Sequence, residues 1–216
     1  MNFGKCLRKN KMENKINLRV LAEIGILAAI AFILHLLEKV VFSGIWVNGG
    51  GIAFSILPII ILCFRRGPLA GFICALIVMA ISFLGGIYSI ADVWYKVLFQ
   101  ILLDYVLSTP LLATAGLLYI PFKKAETKKK KYLYLVLGVL VGEFFQFITY
   151  FLSGMIFWPT PADGWNVPAG AIYSLLYNGS YCLPTAIVCA IILVLMYKKA
   201  PHLIEPELKV VKNEEE

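Results

Sequence analysis

VLFQILLDYVLSTPLLATAGLLY, residues 97–119, is apolar for the length of a membrane span and carries one acidic residue, Asp104. A helix needs roughly 20 such residues to cross the hydrocarbon. A carboxylate at that depth is costly unless something meets it, so Asp104 sets both the fold class and the functional question.

The rest of the chain belongs to the same class. Of 216 residues, 60% are hydrophobic and 15% charged, and the mean hydropathy is +0.82. Soluble domains are nearer half apolar. The chain therefore reads as an all-α polytopic membrane protein. Apolar runs at 20–41, 52–64, 69–84, 95–119, 132–157 and 169–197 predict six transmembrane helices. The second is short for a span, but the basic turn RRGP (65–68) after it suits a chain that reverses.

Lys and Arg counting gives the orientation. Eighteen of the twenty fall in segments that share one side if the first and last are cytoplasmic; only Lys39 and Lys96 fall opposite. Both termini are then expected inside a cell membrane. The expected divisions are a basic cytoplasmic segment 1–19, a six-helix domain 20–199 and a cytoplasmic tail 200–216. The net charge of +7 is accounted for by this asymmetry, and KKAETKKKK (123–131) has no interleaved aromatics for nucleic-acid binding.

Whole classes of chemistry lack their parts. There is no P-loop, no HExxH and no GxSxG motif, and His35 and His202 are the only histidines. Cys6, Cys63, Cys74, Cys182 and Cys189 form no CxxC pair. No enzyme, cofactor or metal site is expected. An intramembrane aspartyl pair from Asp104 and Glu143 is conceivable but has no local support.

Polar groups converge at one depth instead. Counted at about 1.5 Å per residue, Asp104, Tyr150, Tyr173 and Asn178 lie roughly 6 to 15 Å below the ends of three helices. Gln100, Asp104 and Ser108 form a stripe at i, i+4, i+8; Glu143, Gln146, Tyr150 and Gly154 form another. Tyr173 and Asn178 are five residues apart, so a pocket using both wraps that helix or the turn between them is irregular. All four tryptophans, Trp46, Trp94, Trp158 and Trp165, sit in the loops opposite the basic ones. They form either an interfacial belt or the lid of a pocket for a flat organic cation. Glu143 is open between helix glue, with Gln146 as its partner, and a proton relay with Asp104, as in a carrier that acts alone.

LAEIGILAAIAF (21–32), ILPIIILCFRRGPLAG (56–71), LLDYVL (102–107), YFLSGMIFW (150–158) and IYSLLYNGSYCLPTA (172–186) together resemble the thiamine-specific S-components of energy-coupling factor (ECF) transporters. The resemblance spans about residues 17–203. It implies a six-helix subunit without catalytic activity that captures thiamine from outside. Uptake would require a shared transmembrane coupling subunit and two ATP-binding subunits. It also implies ligand contacts from Asp104, Tyr105, Trp94, Tyr150, Gly154, Trp158, Tyr173 and Asn178, with Trp46 from the first loop. The small residues Gly25 and Ala29 would dock the coupling subunit. Two positions depart from the family pattern: Asp104 stands where a Glu is expected, and Tyr150 where a His is. A related thiamine precursor or another flat vitamin is thus an alternative ligand. No Lys or Arg is expected in the pocket except Lys96 at its rim, which disfavours a phosphorylated ligand.

Overall fold

The computed structural model describes residues 18–42, 44–46, 49–91, 93–158 and 167–205. Trp165, most of the 1–19 segment and residues 206–216 of the expected tail lie outside these. Among the described residues the chain is all helical. We number the helices α1 (Leu18–Val41), α2 (Ile56–Arg66), α3 (Pro68–Ser82), α4 (Trp94–Lys124), α5 (Lys128–Phe157) and α6 (Val167–Lys199).

Four of them, α1, α4, α5 and α6, are long and apolar enough to cross a membrane. Their outward faces are apolar, as a bilayer demands and water does not. On α6, Leu183, Ile187, Ile191 and Leu195 recur at i+4 and all lie more than half exposed. The opposite face of the same helix buries Ala186, Cys189, Ala190 and Leu193. Helices apolar all round fit a medium in which lipid and core are equally oily. The protein is a multi-pass membrane protein.

The expected second span begins late. The sequence predicts it from 52, whereas α2 starts at Ile56 and has 11 residues, about 16 Å of helix. The physical reason lies in its surroundings: every residue from Ser55 to Phe64 is buried. An element enclosed by other helices meets no lipid, so bilayer thickness does not set its length. At its end Gly67 donates its N–H to Cys63 O at 3.0 Å and Pro68 opens α3. The RRGP turn is thus formed as the sequence suggests.

The deciding stretch is one continuous rod, but it is not uniform. Within α4 the chain is α-helical to Ile101, widens to a π-turn over Leu102–Leu107, resumes at Ser108–Leu111, tightens to 3-10 geometry over Leu112–Leu118 and ends α-helical. Pro110 supplies a cause, because it cannot donate a hydrogen bond back into the preceding turn. Hydroxyls take up freed carbonyls: Ser108 Oγ donates to Asp104 O at 2.6 Å and Thr114 Oγ1 to Leu111 O at 2.6 Å. A π-turn adds a residue to the turn, yet Gln100 and Ser108 are buried and Asp104 lines the interior cavity, so the three keep the inward stripe their spacing predicts.

Candidate functional site

A cavity of about 740 Å³ opens between the ends of the helices opposite the basic loops, within the size range of small-molecule sites. Asp104 and Tyr105 reach it from the π-turn, a local geometry that recurs at functional sites. Glu143, Gln146, Tyr150, Gly154 and Trp158 line it from α5 and its end, and Tyr173, Tyr177, Asn178 and Tyr181 from α6. Tyr173 and Asn178 both reach the cavity from an unbroken helix, so the pocket wraps α6.

The walls are mostly aromatic. Trp158 stacks on Tyr88 with ring centres 5.8 Å apart and 28° between planes, and Tyr173 stacks on Tyr177 at 5.6 Å. Tyr181 is the centre of a third group, with Trp46 edge-on at 6.0 Å, Tyr150 at 6.1 Å and Tyr177 at 6.2 Å. Flat faces around a carboxylate are the ingredients for an aromatic organic cation.

Hydrogen bonds fix these rings. Asn178 Nδ2 donates to Tyr150 O at 3.2 Å and to Ser174 O and Oγ at 3.0 Å, while Asn178 Oδ1 accepts from the Tyr181 hydroxyl. Asn178 therefore spends both donor protons inside the protein and locks α5 to α6. Gly154 allows that approach: a Cβ there would lie 2.4 Å from Ser174 Oγ and 2.9 Å from Asn178 Nδ2. The first loop is tied down as well. Trp46 Nε1 donates to Ser180 Oγ at 2.8 Å and Tyr177 OH to Gly49 O at 2.8 Å. At Gly50 the backbone has φ +98°, and a Cβ would lie 2.5 Å from the Tyr181 ring. Tyr105 OH accepts from Tyr88 N at 3.0 Å, and Gln100 Oε1 accepts from Ser89 Oγ and Ile90 N. The π-turn helix thus holds the second loop in place.

The acids differ in their partners. Glu38 accepts from Ser55 N at 2.6 Å and Ser55 Oγ at 2.9 Å. Ser153 and Gln100 are the polar neighbours of the Asp104 carboxyl. Even so, Ser153 Oγ and Gln100 Nε2 reach no partner at ordinary hydrogen-bond distance and angle. Glu143 Oε1 has none either, so Gln146 does not serve as the partner expected for it.

Two expectations need correction. Trp94 is not brought to the cavity: as the first residue of α4 it is 73% exposed and packs edge-on against Tyr95. Ten residues above Asp104 is the right height, but at about 100° per residue ten residues leave the two positions roughly 80° apart around the helix. Lys96 does not line the cavity and Lys39 does, together with His35. The lack of a pocket lysine therefore no longer argues against a phosphorylated ligand. Gly25 and Ala29, by contrast, face outward from α1 as a docking face would, and a Cβ on Gly25 would meet nothing within 4 Å. The small residues packed inside the bundle are Ala28 and Ala31.

The sequence reading missed Glu38, His35, Tyr88, Tyr177 and Tyr181. Glu38 carried the same signal as Asp104, an acid inside an apolar run. Tyr177 and Tyr181 continue Tyr173 at i+4 and i+8 along one helical face. Tyr88 lies in a loop and had no periodic signal.

The family model described as thiamine transporter protein (Thia_YuaJ) matches residues 21–205. The chain belongs to the thiamine transporter family. Its members are transport proteins, so the chain is not an enzyme. The thiamine transporter ThiT of Bacillus subtilis is 30% identical over 193 residues, covering 87% of this chain and 94% of that one. A solved structure of ThiT from Listeria monocytogenes superposes with a TM-score of 0.71 at 24% identity, covering 88% of this chain and 98% of that one. At that identity the match speaks to the fold.

Proposed function

We propose that this member of the thiamine transporter family binds thiamine in the cavity and mediates its uptake. All six helices take part in the membrane bundle and both termini lie in the cytoplasm, so the cavity opens outside. The single observation that carries the reading is Asp104: a carboxylate with no cationic partner among the described residues, at the wall of an aromatic cavity, in a chain of this family. Thiamine brings a permanent thiazolium charge and an aminopyrimidine. Asp104 takes the charge, and the Trp158–Tyr88 and Trp46–Tyr181–Tyr150 groups take the flat rings. Tyr105, Tyr173, Asn178 and Gly154 shape the site, Asn178 chiefly by fixing Tyr150 and Tyr181. Trp94 has no place in it.

Energy comes from elsewhere. Without a P-loop, the chain would work with an ECF coupling subunit and two ATP-binding subunits, docked on the outward face of α1 at Gly25 and Ala29. Titration of the purified chain with thiamine should quench Trp fluorescence at micromolar ligand or below; no response contradicts the reading. Competition by thiamine diphosphate and by the isolated pyrimidine and thiazole halves ranks the related ligands. Uptake by vesicles holding this chain alone, driven by a pH gradient, would contradict the ATP-coupled assembly.

A further inference from the structure

The cavity does not end at Asp104. Ile59, Leu112 and Glu143 also line it. Leu112 is eight residues past Asp104 and Glu143 seven before Tyr150, so the floor lies roughly 10 Å deeper toward the basic end, at about 1.5 Å per residue. Glu143 is the one acid on that floor. It is only 4% exposed, and its Oε1 has no hydrogen-bond partner.

Its surroundings limit what can satisfy it. Glu143 and Cys182 form a thin wall, because both also border a groove on the outer side of α5 and α6. The rest of that groove is apolar, with Leu140, Phe144, Phe147 and Leu183 among its residues, and offers no donor. A carboxyl with unused hydrogen-bonding capacity is expensive to bury. Among the described residues, the polar space that Glu143 borders is the cavity. The other acids there differ: Glu38 is held by Ser55, and Asp104 has Ser153 and Gln100 beside it.

Resting on the thiamine reading above, we propose that Glu143 is a second recognition residue, accepting a hydrogen bond from a neutral N–H or O–H donor at the deep end of the ligand. Asp104 meets the fixed charge and Glu143 reads the ligand's far end. A ligand that carries both features is selected over a flat cation that lacks the donor. In thiamine two groups have this chemistry, the exocyclic amino group of the pyrimidine and the hydroxyethyl group on the thiazolium.

The test uses the full-length chain in nanodiscs, wild type and Glu143→Gln, titrated with thiamine, the isolated aminopyrimidine half and the isolated hydroxyethylthiazolium half. Melting of each variant without ligand is recorded alongside. The expected result is a loss of about tenfold in thiamine affinity, a similar loss for one half only, and an unchanged or higher melting temperature. Loss for the pyrimidine half assigns the amino group; loss for the thiazolium half assigns the hydroxyl. Unchanged affinities for all three ligands overturn the inference while leaving the thiamine reading intact. So does an equal loss for all three with lowered melting, which marks a structural acid. A wild type that binds none of the three overturns both.

Discussion

Asp104 and Glu143 at the cavity end are treated in the opposite way from the carboxylates at the basic end. At the basic end, Glu23 of α1 accepts hydrogen bonds from Arg65 Nε at 2.9 Å and Nη2 at 3.1 Å and from Arg66 Nε at 2.7 Å and Nη2 at 2.6 Å. Arg65 Nη1 reaches on to His202 O and Leu203 O. Beside it Lys131 Nζ donates to both oxygens of Glu205 at 2.8 Å, and Tyr197 OH donates to the same carboxylate. These acids close the end of the bundle, with Ile204 fully buried between them. At the cavity end, Asp104 and Glu143 sit on walls of aromatic and apolar side chains, without such partners among the described residues. An acid that its own chain neutralises is structural; an acid left for a ligand is functional. Among the described residues, hydrogen bonds from Arg or Lys mark Glu23 and Glu205, a distinction that depth in the sequence alone does not draw.

That contrast can be broken by substitution. Asp104→Asn should weaken thiamine binding the most, by roughly 30- to 100-fold, the equivalent of about 2–3 kcal/mol for a lost charge-assisted contact, with little change in melting. Calorimetric titration checks it. Gly154→Val acts through packing: the added side chain enters the space of Ser174 Oγ and Asn178 Nδ2. It should cost about 1–3 kcal/mol of stability by overpacking and weaken binding by displacing Tyr150. Thermal unfolding with and without thiamine separates the two effects.

Glu23→Gln should do the reverse of Asp104→Asn. Its four hydrogen bonds from two guanidiniums are partly buried, so melting should fall by the equivalent of about 1–2 kcal/mol, while thiamine affinity stays within about twofold. A large affinity loss would mean that the two ends are not separable. The smallest effect is a pH dependence at Glu205. Burial works against its charge, but the hydrogen bonds from Lys131 and Tyr197 and the charge of Lys131 hold its carboxyl below the ordinary value of 4.5. A depressed carboxyl stabilises the fold above its unfolded value, and that stability is lost as pH falls through the folded one. Melting should therefore drop slightly below about pH 4.5 in the wild type and less so in Glu205→Gln.

How much of this was legible in the sequence differs by element. The long apolar runs fixed the helices to within a few residues, because apolar length is the quantity a bilayer measures. They were least informative at α2, whose ends are set by neighbouring helices. Asp104 stands out because a charge in an apolar run is rare, and Glu38 carries the same signal. The π-turn before Pro110 was hidden, since no residue count reveals it, although Gln100, Asp104 and Ser108 keep the inward face that their spacing predicts. Trp94 shows that height alone does not place a residue: correct in height, it is exposed and does not line the cavity. The fixing of Tyr181 by Asn178, Trp46 and Gly50 joins residues far apart in the chain, which no local period records.

The central claim is that Asp104 meets a permanent positive charge. The most direct measurement is a cycle of four affinities: wild type and Asp104→Asn, each with thiamine and with its uncharged isostere, in which a neutral carbon ring replaces the thiazolium. The account predicts that wild type prefers thiamine by tenfold or more and that the preference disappears in Asp104→Asn. The same preference in both proteins would contradict it.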